Sequence, residues 1–82
     1  MNSLRTLPVR PIDARRLTPH LANYNTLCDV LAGIEFSPYQ LEMLIALEIR
    51  GKKRRPMVKR LLGKLHTVER DLRLKEIDEA LA

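Results

Sequence analysis

Few residues in this chain are of types that make or break bonds. Cys28 is the single cysteine. It falls among Leu21, Tyr24, Leu27 and Leu31 at helical spacings, which would bury its thiol on an apolar face and leave it inert. His20 follows a proline at the start of the same segment and reads as an exposed first-turn residue rather than a base. His66 and Glu69 are three apart, on one side of a helix, but no third ligand follows at workable spacing, so no metal is expected. The sequence contains no glycine-rich phosphate loop, no G-x-S-x-G and no H-E-x-x-H. It therefore predicts neither an enzyme nor a bound cofactor.

The informative chemistry is cationic. Fifteen Lys and Arg against ten Asp and Glu give a net charge of +5, and the excess is concentrated. Residues 1–28 hold Arg5, Arg10, Arg15 and Arg16 against Asp13, and residues 29–48 hold Asp29, Glu35, Glu42 and Glu48 with no base. Residues 49–68 then carry Arg50, Lys52, Lys53, Arg54, Arg55, Lys59, Arg60 and Lys64 without one acid, and the chain turns acidic again after them. Such a block suits a polyanion, whose binding draws on Lys and Arg contacts to phosphates. The candidate nucleic-acid contacts are Lys52, Lys53, Arg54, Arg55, Lys59, Arg60 and Lys64, with Arg70 and Arg73 farther along. Tyr24, Phe36 and Tyr39 all lie outside the block, which disfavours stacking on single strands against duplex binding.

These charges need elements to hold them. With 82 residues and 45 % of them hydrophobic, the chain has material for one small core. Residues 1–17, with Pro8 and Pro11, read as an extended basic arm, in which Ile12–Leu17 has room for one helical turn. Thr18 as N-cap, Pro19 at the first position and Gly33 beyond the end predict a helix over Pro19–Ala32. Ser37 and Gln40 form a capping box with Pro38 in the first turn, predicting a second helix over Pro38–Arg50. Its apolar residues cover nearly the whole circumference, so it should be central or meet a partner. After the turn Gly51–Arg55, Pro56 opens a third pattern running to Leu81.

That third pattern changes sides. Met57, Val58, Leu61, Leu62, Leu65, Val68 and Leu72 share one broad face, whereas Leu74, Ile77 and Leu81 lie nearly opposite it, so the segment is either one long helix with a second contact or a kinked one. Lys59, His66, Arg70 and Arg73 project within about 60° of one another on a face distinct from the Leu61, Leu65, Val68, Leu72 stripe. A helix-turn-helix register with Gly63 in the turn sets Lys59, Lys64 and Glu69 at positions that call for small or apolar residues. The run Thr67, Val68, Glu69, Arg70, Asp71, Leu72 resembles the opening of a recognition helix in DeoR-type repressors. It spans six residues and lacks the family's upstream spacing, so membership does not follow.

The expected fold is all-α, a small three-helix bundle over residues 18–82 behind the arm, with a long or kinked C-terminal helix. The expected function is duplex DNA binding by a cytoplasmic, non-enzymatic regulator, with the arm reaching along a groove. The alternative is an adaptor or inhibitor that docks on a partner protein through apolar helix faces, or on an acidic protein through the basic block. Leu74, Ile77 and Leu81 are the expected contacts with a partner, including a second copy in a homodimer. No run of apolar residues is long enough to span a membrane.

Overall fold

The computed structural model describes residues 10–82, and the first nine residues of the expected arm, Arg5 included, lie outside it. Among the described residues there are four α-helices and no strand: α1 (Pro11–Leu17), α2 (Tyr24–Gly33), α3 (Pro38–Arg50) and α4 (Arg55–Leu81), with a 3₁₀ turn over Thr18–Leu21 between α1 and α2. The all-α architecture is as expected.

The departures are at the N-terminal end. Within the expected arm the helical turn over Ile12–Leu17 is present and extends to the whole of Pro11–Leu17, so this part is not extended; Pro11 stands in the first turn with its missing N–H at no cost. Arg10 closes that turn by donating from Nε to the Asp13 carboxylate at 2.9 Å. Thr18 is not an N-cap, since its hydroxyl donates back to the Ala14 carbonyl. The expected helix over Pro19–Ala32 breaks after the 3₁₀ turn. Asn23, extended at φ −157°, accepts the Thr26 N–H on its side chain at 2.8 Å and starts α2. Asn outranks Thr as a cap, and here it wins.

Helix α3 begins and ends where the capping box and Gly51 predict, with the Gln40 N–H on the Ser37 hydroxyl at 3.2 Å and the Ser37 N–H on the Gln40 side chain at 2.9 Å. It is the central element: Leu41, Met43, Leu44, Ile45 and Ala46 are buried on several sides. It packs mainly on α4 and also on the 3₁₀ turn, while α2 closes the other side against α4. Leu27, Leu31, Phe36, Met57, Leu61 and Leu65 complete the core. Burying one such side chain fully contributes roughly 1.5–3 kcal/mol.

Helix α4 runs unbroken for 27 residues, about 40 Å, and sets the 45 Å long axis of the molecule. Gly63 lies inside it, so the helix-turn-helix register is excluded; Thr67 caps nothing and donates its hydroxyl to the Gly63 carbonyl at 3.1 Å. Only its first half is covered. From Glu69 onward every residue is exposed, and Leu72, expected in the core stripe, is 47 % exposed. Tyr24 is likewise exposed, and Cys28 is half-buried rather than enclosed.

Candidate functional site

The basic stretch folds into the corner joining α3 to α4. Two backbone bonds close the end of α3: the Gly51 N–H donates to Leu47 at 2.9 Å and the Lys53 N–H to Glu48 at 2.8 Å. The second bond wraps the chain back and leaves Lys53 in the left-handed region at φ 55°, where a residue with a Cβ is strained by about 1–2 kcal/mol.

Arg54, expected among the phosphate contacts, is committed elsewhere. Its guanidinium grips the Glu48 carboxylate bidentately, Nη2 to Oε1 at 2.8 Å and Nε to Oε2 at 3.0 Å, while its backbone N–H reaches the same Oε2 at 2.9 Å. It also donates to the carbonyls of Leu21 and Ala22. One side chain thus ties the end of α3, the corner and the 3₁₀ turn together. Glu48 is 2 % exposed. Burial alone would raise its pKa, but the Arg54 hydrogen bonds and charge, with Lys52 nearby, bring it below the ordinary glutamate value. The Arg54 side chain keeps partial access to solvent, at 29 %, yet each of its guanidinium nitrogens donates to a protein acceptor.

Sequence reasoning missed this pair. Its signal was present: Glu48 is a lone acid in the last turn of a helix apolar nearly all round, and an unpaired buried carboxylate is prohibitively costly, so a nearby base had to turn inward.

The remaining bases do face water. Lys52, Lys53, Arg55, Lys59 and Arg60 are exposed and Lys64 half-buried, and none forms an ion pair with another described residue. Glu48 is occupied by Arg54, and no acid stands between Ile49 and Val68 to neutralise them. Beside the corner, Arg50, Lys53 and Arg55 rim a shallow cleft of about 650 Å³ whose floor is Ile49 and Val58. Arg50 belongs to the basic block read from sequence, but its convergence with Ile49 and Val58 was not foreseen, because it depends on the angle between α3 and α4.

Arg70 and Arg73 are exposed on the far half of α4, beyond the helical body, Arg70 lying 3.4 Å from the Asp71 carboxylate. They line a separate depression with Pro38 and Leu72, so the structure does not bring them together with the corner. Leu74, Ile77 and Leu81 are exposed on the outward side of the same half. His20, expected in solvent, is half-buried with its ring edge-on to Phe36 at 5.7 Å. His66 is exposed, and the described residues contain no group of three metal-ligating side chains.

The electrostatics of α4 add to the corner. Arg54, its N-cap, offers no side-chain cap, and the first turn holds no acid. The positive end of the helix dipole therefore adds to Arg55 and Lys59 instead of being offset. A helix normally gains about 0.3–1 kcal/mol from each acid placed there; this one carries bases instead. An external anion at the corner would meet backbone dipole and side-chain charge together. No helix among the described residues is long and apolar enough to cross a membrane. Comparison of the chain with models of protein families, with curated proteins and with solved structures gave no match.

Proposed function

We propose that this chain is a non-enzymatic DNA-binding protein, a regulator in kind, that holds duplex phosphates at the α3–α4 corner. The observation that carries the reading is the set Lys52, Lys53, Arg55, Lys59 and Arg60: exposed, without acidic partners, and gathered at an uncapped helix N-terminus. Lys53 strengthens it, because glycine would relax the backbone there and a lysine adds an ammonium at the apex of the corner instead. Contacts of this kind fix a protein on the duplex without reading sequence. Arg70 and Arg73 stand farther along α4, so any base-edge contact by them requires the duplex to run along that helix.

Fluorescence anisotropy of a labelled duplex tests the reading. Wild type should bind at low salt, and a variant with Lys52, Lys53, Arg55 and Lys59 all replaced by Ala should lose most of that binding while keeping its helical circular dichroism. Arg54 stays unchanged in this variant, since removing it would strand Glu48 and confuse unfolding with lost contact. Absence of wild-type binding at low salt, or equal binding by the variant, refutes the proposal and passes the bases to the second reading, docking on an acidic protein.

A further inference from the structure

Charge explains the rim of the cleft beside the α3–α4 corner but not its floor. Arg50, Lys53 and Arg55 stand at its edge, all exposed, and with them lie Ile49 from the last turn of α3 and Val58 from the first turn of α4. Both floor residues are half-buried: one side of each packs on the core and the other is left to the cleft. A surface that only held phosphates would need no apolar floor, since Lys and Arg contacts alone supply that binding.

What the lining lacks narrows the occupant further. It has no aromatic ring on which a base could stack, and neither floor side chain can donate to or accept from a base edge. A group seated here must be anionic at its margins and hydrocarbon at its middle. The backbone of a nucleic acid is built that way, with sugars between successive phosphates, and in DNA the sugar carries only hydrogen at its 2′ carbon.

We propose that the cleft seats a deoxyribose of duplex DNA on Ile49 and Val58, with the flanking phosphates on Arg50, Lys53 and Arg55, and that this floor makes the protein select DNA over RNA. The proposal rests on the phosphate-binding reading above and adds the sugar to it. A ribose in the same seat brings its 2′-hydroxyl onto two aliphatic side chains that hold no polar atom, and a hydroxyl taken from water without a partner is penalised. The 2′-hydroxyl is the group by which a protein tells the two nucleic acids apart at a given site.

Anisotropy of one duplex sequence, made as DNA and as RNA and titrated at the same low salt, tests this. Wild type should bind the DNA on the order of tenfold more tightly. Val58→Thr keeps the shape of the floor and adds a hydroxyl that can pair with the 2′-hydroxyl, so it should strengthen RNA binding until the gap falls to about twofold while DNA binding holds. The two duplexes also differ in shape, but a preference for shape alone does not move when one methyl at residue 58 becomes a hydroxyl. Ile49→Thr, on the other half of the floor, should narrow the gap likewise and replaces Val58→Thr if that variant loses its helical circular dichroism. Equal binding of DNA and RNA by wild type, or a gap that neither substitution narrows, overturns the proposal and leaves the phosphate reading standing; absence of all DNA binding overturns both.

Discussion

At Glu48, burial and charge pull in opposite directions, and Arg54 decides the outcome. Glu48→Ala should cost about 3 kcal/mol, the low end for a broken buried pair because Arg54 retains some water, and chemical denaturation measures it. The carboxylate has a lower pKa folded than its ordinary value of 4.5. Its contribution is therefore fully present above that value and is lost as pH falls through the lower folded one. Melts of wild type and Glu48→Gln should accordingly differ most at neutral pH and converge in acid; a constant gap down to pH 3 would contradict the pairing. Lys53 is the converse case, a charged residue on a backbone that favours glycine. Lys53→Gly should leave stability unchanged or raise it by up to about 1 kcal/mol while weakening DNA binding, and a lower melting temperature would show that the lysine is held by something other than charge.

Elements were legible in proportion to how local their signals are. The α3 boundaries could be read because Ser37, Pro38, Gln40 and Gly51 each act within one turn. The Pro19–Ala32 helix was misjudged because two caps compete there: Asn23 is the stronger and starts α2, while Leu17 and Leu21 pack into the core from the turn before it. For α4 the change of stripe after Leu72 was visible, and its reason is that the body ends near Val68, so later residues have no intrachain surface to meet. Basic residues were legible as a block, but which of them faces inward was not: Arg54 and Arg55 are adjacent in sequence and opposite in fate. Gly63 gives the cleanest test of α4 as one continuous helix. Gly63→Ala should stabilise the protein by about 1 kcal/mol; destabilisation would mean that the helix turns or opens there.

At the scale of the whole molecule, a compact helical body carries two separate surfaces. The corner gathers cations at one end of α4, and the projecting half of α4 carries exposed Leu74, Ile77 and Leu81 together with Glu76, Asp78 and Glu79. The net charge of +5 understates the field at the corner, because most of the acids lie on other faces and Glu48 is already paired. Counterion release turns that local field into a measurable number: each phosphate neutralised on B-DNA contributes about −0.9 to the slope of log K against log salt. The most direct measurement is that slope, taken by anisotropy between roughly 50 and 200 mM salt for wild type and for the variant with Lys52, Lys53, Arg55 and Lys59 replaced by Ala. Contacts at the corner predict a wild-type slope of about −4 that flattens by about 3 to 4 in the variant, whereas a wild-type slope near zero, or one that the four substitutions leave unchanged, would contradict the account.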